Sequence, residues 1–427
     1  MKTYDKPNRE QWDQLTKRPT ANEEQLKQAV GLILNNVNQN GDSALIEYTR
    51  MFDGVELTAL KVSEKEINQA IIQTPQELKD AIEVAYRNIT AFHKAQQLKE
   101  DVIETTSGVK CWRKSVAIEK VGLYIPGGSA PLFSTVLMLG IPAQIARCKE
   151  IVLCTPPNKN QEIHPAILYT AQLVGVSKIY KAGGAQAVAA MAYGTASIPK
   201  VYKIFGPGNQ YVTKAKELVR QEGVAIDMPA GPSEVLIIAD RTCNTVFVAA
   251  DLLSQAEHGE DSQVILLSDD ETVVKACLAE VNKQVKNLSR RKIALKALTH
   301  SKAMILNNIE ECIELSNLYA PEHLIIASEN ADQFIDKITN AGSVFLGNYS
   351  CESAGDYASG TNHTLPTNGY AKNYSGVSLD SFVKKITYQE LSKEGIKNIG
   401  SVIGIMAEAE ALTAHKSGYT AIKRNKR

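Results

Sequence analysis

The chain has 427 residues, and its 47 Lys and Arg residues balance its 47 Asp and Glu residues, so the formal net charge is zero. Nucleic-acid and membrane binders need a one-sided basic field, so this balance argues against both kinds of partner. The polar N-terminus lacks a signal peptide's apolar core, and no run approaches the ~20 apolar residues of a membrane span. The seven cysteines are scattered without a C-x-x-C pair, which favours reduced thiols and a cytoplasmic location.

The first hundred residues are predicted to be mainly helical. Between Asn22 and about Phe52, apolar residues recur at helical spacing, with a break at the turn N-G-D. Helical sequence continues from there to about Lys99.

Strands and helices alternate in the middle of the chain. One series runs over residues 120–221 and a second over 234–348, with the change-over in the segment Pro229–Ser233. Such alternation predicts parallel sheets with helices on both faces. A polar, glycine-rich segment at 349–376 is typical of a functional loop, and the last fifty residues are predicted to be helical with a basic end.

Glycine-rich turns follow three consecutive strands of the first series, in the sequences YIPGGSAP, AGGAQAVAA and FGPGNQYV. Each places glycine where a strand enters a helix, so backbone N–H groups could face a phosphate. The G-x-G-x-x-G fingerprint is absent. One such turn alone could be simple turn chemistry, but three at the ends of consecutive strands indicate the rim of a ligand cleft.

The stretch DLLSQAEHGEDSQ contains a candidate metal site. If this segment is helical, Gln255 and His258 lie three residues apart and project from one face, so they could chelate one ion. A solvated helix end is the alternative. Asp356 in the glycine-rich loop could add a carboxylate ligand, and His415 lies in a helical segment five residues after Glu410.

Glu322 and His323 form an adjacent pair directly before an apolar strand. An acid and a base at the start of a rigid element could perform proton transfer, although a loop of surface polar residues would have the same sequence. His363 also lies in the glycine-rich loop, and its role stays open.

Nine motifs, in order along nearly the whole chain, resemble those of histidinol dehydrogenase. They are VGLYIPGG, GGAQAVAAMAYGT, KIFGPGNQYV, MPAGPSEVLIIAD, LLSQAEHG, APEHL, SAGDYASGTNH, LSKEG and EAEALTAH. The resemblance implies the last step of histidine biosynthesis. This step is a four-electron oxidation of L-histidinol, through L-histidinaldehyde, to L-histidine with two NAD⁺ and one water.

The resemblance also implies a ligand set for one Zn²⁺ per subunit. Gln255, His258, Asp356 and His415 match the family's zinc ligands. In the family the last of them comes from the other subunit of a homodimer with shared active sites, whose terminal arms wrap around the partner.

The other site residues are assigned by the same resemblance. Glu322 matches the residue that activates water, and His323 matches the residue that takes the alcohol proton. The family's NAD contacts match Tyr124, Gln186 and Asn209. Its substrate contacts match Ser233, Gln255, His258, His323, Asp356, Glu410 and His415.

The expected fold is α/β, with two Rossmann-like doubly wound modules that lack G-x-G-x-x-G, and with extended helical arms at both ends that take part in dimerisation. The expected domain limits are residues 1–21 for the N-terminal arm, 22–120 plus 234–377 for the metal and catalytic module, 121–233 for the NAD module, and 378–427 for the C-terminal arm that supplies a zinc ligand.

Three rival functions remain. A related zinc and NAD dehydrogenase could oxidise another small alcohol, but the retained ligands and the pair of Glu322 and His323 argue against a changed substrate. A zinc hydrolase would be metal-dependent without needing NAD. A non-catalytic protein could use zinc only to hold a dimer together.

Overall fold

The computed structural model describes residues 1–18, 23–127 and 130–424, with side chains described to residue 418. The chain divides into two compact units. The first comprises Met1–Gln96 and Ile118–Phe382, and the second comprises Gln97–Ala117 and the chain from Val383 onward.

The strands, in chain order, are β1 (Lys2–Asp5), β2 (Ile103–Thr106), β3 (Val109–Ala117), β4 (Lys120–Tyr124), β5 (Glu150–Thr155), β6 (Lys178–Lys181), β7 (Lys203–Phe205), β8 (Ala225–Ile226), β9 (Glu234–Ala239), β10 (Gln263–Ser268), β11 (Lys302–Ile305), β12 (His323–Ala327), β13 (Ser343–Leu346) and β14 (Val383–Leu391).

The α-helices are α1 (Trp12–Leu15), α2 (Glu23–Asn40), α3 (Asp42–Tyr48), α4 (Glu64–Gln73), α5 (Gln76–Lys94), α6 (Phe133–Ala146), α7 (Pro165–Leu173), α8 (Gly184–Tyr193), α9 (Gln210–Gln221), α10 (Thr245–Ala256), α11 (Glu271–Gln284), α12 (Arg291–His300), α13 (Ile309–Tyr319), α14 (Glu352–Tyr357), α15 (Lys393–Ala409) and α16 (Thr413–Arg424). Short 3₁₀ or π turns cover Arg9–Gln11, Thr49–Asp53, Val285–Asn287, Ala331–Lys337, Tyr370–Lys372 and Leu379–Phe382.

The first parallel sheet has the strand order β6-β5-β4-β7-β8. Counted along the chain this is 3-2-1-4-5, the order of the first five strands of a Rossmann sheet. Its strands are apolar on both faces: Val121 and Leu123 of β4 pack with α5, α6 and α7, whereas Tyr124 packs with α2, α8 and α9. Helices on both faces are what such doubly apolar strands require.

The second parallel sheet has the order β1-β11-β10-β9-β12-β13. From β9 onward it repeats the order 3-2-1-4-5, and β1 is added beside β11 at the edge. Val235 and Ile237 of β9 pack on the face covered by α10, α11 and α12, whereas Leu236 and Ile238 pack on the face covered by α13. The predicted α/β class with two doubly wound modules is therefore confirmed.

The second unit contains an antiparallel sheet in the order β14-β3-β2. The strands β3 and β14 pair along their whole lengths, from Val383 opposite Ala117 to Leu391 opposite Val109. Helices α15 and α16 follow, and Ser392 caps α15 by accepting a hydrogen bond from the N–H of Gly395. The prediction of helix over the last fifty residues is wrong for β14, because this strand pairs with β3 in a distant part of the sequence.

The structure also differs from the expected module limits. Residues of α2 and α3 share a core with the first parallel sheet, and residues of α4 and α5 pack against its other face. These helices had been assigned to the module that contains β9. The expected helical N-terminal arm includes β1, which pairs with β11, and Trp12 and Leu15 are buried against the second sheet. Within the described residues, no helix is both long and apolar enough to cross a bilayer.

Candidate active site

A cavity of about 280 Å³ lies between the two parallel sheets. It opens at the carboxyl ends of β4 and β7 in the first sheet and at the amino ends of β9, β10 and β12 in the second. Its lining includes Ser134, Thr135, Pro207, Gly208, Asn209, Gly231, Ser233, Gln255, His258, Glu322, His323, Asp356, His363 and Thr367. Ligands of open α/β sheets usually bind at the carboxyl ends of the strands, and the cavity lies at those ends in the first sheet only.

The backbone of Glu234 holds the two residues of the predicted acid/base pair. Its N–H donates to Oε2 of Glu322 at 2.8 Å, and its carbonyl oxygen lies 3.2 Å from Nδ1 of His323. A carbonyl oxygen can only accept, so Nδ1 of His323 carries a proton. In the neutral imidazole this leaves Nε2 as the basic nitrogen, and it lies 3.6 Å from Oδ1 of Asp356. Glu322 and His323 are 7% and 4% exposed, so the pair is built into the interior.

Burial and neighbouring charges shift the pKa values of this pair. Burial raises the pKa of the Glu322 carboxyl to about 8, against the opposing effect of His323. Burial alone would lower the pKa of His323, but the carboxylates of Glu322 and Asp356 raise it to about 10. Strongly shifted pKa values in a cavity are typical of residues that transfer protons.

Metal-ligand donors gather beside this pair. Donor atoms of His258, Glu352 and Asp356 all lie within 4.8 Å of one another. Gln255 is 1% exposed and lies in the last turn of α10, whereas His258 lies in the turn after this helix, where its N–H donates to the carbonyl oxygen of Gln255 at 3.2 Å. In the orientation of the Gln255 amide that satisfies both neighbours, the nitrogen donates to Oε1 of Glu352, and the oxygen accepts at 2.9 Å from the N–H of Glu234, which it shares with Glu322. Nitrogen and oxygen donors of this kind suit Zn²⁺.

The other predicted substrate and metal contacts lie in two places. Ser233 lines the cavity, directly before β9. Glu410 and His415 belong to the second unit, where Glu410 follows the last residue of α15 and His415 lies in the first turn of α16.

The predicted NAD contacts lie at the carboxyl edge of the first sheet. Tyr124 ends β4, and its hydroxyl oxygen accepts a hydrogen bond from the N–H of Gly184 at 3.1 Å. Burial raises the pKa of Tyr124 to about 12, so its phenol keeps a proton to donate. Asn209 caps α9 and lines the cavity, whereas Gln186 is buried in the first turn of α8.

One glycine at this edge is required by a close approach of two backbones. Gly206 has φ +129°, and a Cβ there would lie 2.1 Å from the carbonyl oxygen of Tyr124. Its N–H donates to Asp227 at 2.8 Å, and its carbonyl oxygen accepts from Nζ of Lys216 at 3.0 Å. These two hydrogen bonds therefore fix the backbone of the turn that leads to Asn209.

His363, whose role the sequence left open, lies in the same cavity. Its Nδ1 donates to the backbone carbonyl oxygen of Asp356 at 2.9 Å, since that oxygen can only accept. Nε2 then accepts from the hydroxyl of Thr135 at 3.1 Å. His363 thus connects the backbone of Asp356 to α6.

Two residues of the site were missed from the sequence. Glu352 precedes Asp356 by four residues, and both lie on α14, so i,i+4 spacing in the glycine-rich segment was a usable signal. Glu234 acts through its backbone, and a backbone contact leaves no residue-type pattern to find.

Comparison with known proteins identifies the family. The sequence profile described as histidinol dehydrogenase matches residues 16–422. The chain belongs to the histidinol dehydrogenase family. A histidinol dehydrogenase of Bacteroides thetaiotaomicron is 60% identical over 420 residues, which is 98% of each chain.

Other members of the histidinol dehydrogenase family agree in sequence and in fold. The enzyme of an Escherichia coli strain is 53% identical over 414 residues, 96% of this chain and 94% of that one. The crystal structure of histidinol dehydrogenase from Elizabethkingia anophelis superposes with a TM-score of 0.97 at 59% identity, covering 99% of this chain and 98% of that chain.

Proposed function

We propose that this chain oxidises L-histidinol, through L-histidinaldehyde, to L-histidine in a four-electron reaction that uses two NAD⁺ and one water. The reaction is the last step of histidine biosynthesis. The observation that carries the proposal is the pair of Glu322 and His323, which the backbone N–H and C=O of Glu234 orient beside a set of metal-ligand donors. Membership of a dehydrogenase family supports the reaction class.

The donor set fits one Zn²⁺ per subunit. Gln255, His258 and Asp356 offer an amide oxygen, an imidazole nitrogen and a carboxylate oxygen at one end of the cavity. With Asp356 as the single carboxylate ligand, and with Glu352 hydrogen-bonded to the Gln255 amide instead, such a site keeps a net positive charge and can accept a neutral nitrogen from the substrate. We infer that the fourth ligand is the partner subunit's His415, supplied by a C-terminal segment in a homodimer with shared active sites.

Different residues around the cavity would perform the separate steps of the reaction. When bound, Zn²⁺ anchors and orients the substrate, and NAD⁺ accepts a hydride in each oxidation. Binding of Asp356 to Zn²⁺ would weaken one of the charges that raise the pKa of His323, so that neutral His323, whose Nδ1 proton is held by Glu234, would take the proton of the substrate hydroxyl at Nε2. Glu322 takes a proton from the water that adds to the aldehyde, because its buried carboxylate is a stronger base than an exposed one.

The remaining contacts follow from the positions of the side chains. Tyr124, Gln186 and Asn209 surround the carboxyl edge of the first sheet, where NAD⁺ would lie. Ser233 and the helix-end residue Glu410 would contact the substrate. Burial of the cavity allows the aldehyde to remain bound between the two oxidations.

We further infer a cytoplasmic location. All seven cysteines are free thiols in the described structure, three of them buried. Free thiols in this number are typical of a reducing compartment.

The proposal is tested by incubating the purified protein with L-histidinol and NAD⁺ and identifying products by mass spectrometry. We expect L-histidine as the final product, with loss of activity on chelation and recovery with Zn²⁺. The Glu322→Gln variant should convert histidinaldehyde to histidine at less than a tenth of the wild-type rate. Absence of NAD⁺ reduction by the zinc-loaded protein would refute the proposal.

A further inference from the structure

A buried ion pair lies directly behind the residues assigned to catalysis. The guanidinium of Arg18 forms a two-pronged contact with the carboxylate of Glu234: Nε donates to Oε1, and Nη2 donates to Oε2 at 2.8 Å. The two side chains are 14% and 3% exposed. Oε1 of Glu234 also accepts from the N–H of Asn368 at 3.1 Å. The carboxylate of Glu234 is thus held by three donors while its own backbone holds Glu322 and His323.

The same guanidinium reaches the turn that delivers Glu322. Nη2 of Arg18 donates to the carbonyl oxygens of Tyr319 at 2.9 Å and of Ala320 at 3.4 Å, and the guanidinium lies over the Tyr319 ring at 3.8 Å from its centroid. Ala320 has a left-handed φ of +53°, which is unfavourable for a residue with a side chain. Arg18 therefore connects the first residue of β9 to the strained turn that ends two residues before Glu322.

We propose that Arg18 is a positioning residue for the catalytic pair. Through the carboxylate of Glu234 and the carbonyl groups of residues 319 and 320, it fixes the peptide units that orient Glu322 and His323. Because a carboxylate and two carbonyl oxygens surround it, the site needs a planar cation with several donors, which lysine cannot replace. The inference rests on the proposed function, since it requires Glu322 and His323 to act on the substrate.

The test uses the full chain carrying Arg18→Lys, which keeps the charge but loses the two-pronged contact. We expect kcat for L-histidinol oxidation to fall at least tenfold, while KM for L-histidinol and zinc content stay within twofold of wild type. Arg9→Lys is the matched control, because Arg9 lies in the same N-terminal segment, pairs with Glu314 on α13 and is exposed. Its kcat should not change.

A double-mutant cycle separates positioning from general destabilisation. In a Glu322→Gln background, Arg18→Lys should reduce histidinaldehyde oxidation by less than twofold further, because the carboxylate to be positioned is gone. Full additivity of the two losses would overturn the proposal. If Arg18→Lys does not fold, the double variant Arg18→Met/Glu234→Gln removes both charges and should show the same loss of kcat.

The rates of the Arg18→Lys and Glu322→Gln variants distinguish a failure of this inference from a failure of the proposed function. A normal kcat in Arg18→Lys, together with a defective Glu322→Gln, overturns the positioning role alone. A wild-type rate of histidinaldehyde oxidation in Glu322→Gln overturns the assigned role of Glu322 and the positioning role with it.

Discussion

The side-chain amide of Gln255 has a fixed orientation because Glu352 faces its nitrogen. The nitrogen donates to Oε1 of Glu352, and the amide oxygen accepts from the N–H of Glu234 at 2.9 Å. Ionised Glu352 can only accept, so in that state it selects the orientation in which the oxygen, the atom proposed to bind zinc, points away from Glu352. Ser254 donates to Oε2 of Glu352 at 3.2 Å and the N–H of Glu352 donates to Asp251 at 3.1 Å, so Glu352 is itself held in place.

Replacing Glu352 by glutamine should therefore weaken zinc binding. A glutamine at this position can donate as well as accept, so the amide of Gln255 would no longer have one preferred orientation. We expect about a 10- to 100-fold loss of zinc affinity, measured by competition with a chromogenic chelator. Glu329→Gln, at an exposed position, is the control. Unchanged affinity would show that Glu352 does not orient Gln255, and a far larger loss would indicate that Glu352 binds the metal directly.

The turn after β7 should tolerate no side chain at Gly206. A Cβ there would lie 2.1 Å from the carbonyl oxygen of Tyr124, and the hydrogen bonds to Asp227 and Lys216 prevent the turn from moving away. We expect Gly206→Ala to lower the free energy of unfolding by about 3 kcal/mol.

Gly223→Ala is the control for that substitution. Gly223 has φ +95° but nothing within 4 Å of a built Cβ, so it isolates the backbone strain from the clash. Gly223→Ala should lower the free energy of unfolding by about 1 kcal/mol, measured by urea unfolding. Equal losses of unfolding free energy in the two variants would mean that the clash between the new Cβ and the carbonyl oxygen of Tyr124 adds little to the backbone strain.

Much of the α/β framework could be predicted because its strands are apolar on both faces and its helices have clear ends. For example, the first predicted series ends at residue 221, where α9 ends, and Asn209 caps the start of this helix with two hydrogen bonds. The spacing of Gln255 and His258 predicts that both lie on one helix, but α10 ends at Ala256 and His258 lies in the turn that follows it.

Relationships across the chain could not be predicted in the same way. Arg18 pairs with Glu234 at a separation of 216 residues, and no local pattern in the sequence indicates it. β14 pairs with β3, and its residues alternate between half-buried and exposed positions too weakly to mark a strand. The placement of α2 to α5 on the first sheet depends on which apolar face is left uncovered, which only the assembled fold determines.

The second oxidation should depend on pH through Glu322. Burial raises the pKa of this carboxyl to about 8, and only its ionised form can accept a proton from water. Below that pKa the ionised fraction falls by about tenfold per pH unit, so the rate of histidinaldehyde oxidation should rise with pH and level off above about 8. NADH formation from histidinaldehyde at saturating NAD⁺ measures this. The same rise in Glu322→Gln would assign the titration to another group.

Sharing of active sites between subunits should appear as complementation. Measured by formation of L-histidine, Glu322→Gln and His415→Ala should each be nearly inactive, but a mixed dimer would contain one site with both residues intact. With random pairing, half of the dimers are mixed and each has one of two sites, so we expect about a quarter of the wild-type activity after subunit exchange. No recovery in exchanged dimers would mean that His415 acts within its own chain.

The most direct test of the proposed reaction is the amount of NADH formed for each L-histidinol consumed. The absorbance of NADH and the loss of L-histidinol are followed to completion with the zinc-loaded protein. Two NADH per L-histidinol are predicted, because Glu322 and His323 are proposed to support both oxidations in one cavity. One NADH per L-histidinol would mean that the reaction stops at the aldehyde, and it would contradict the role assigned to Glu322.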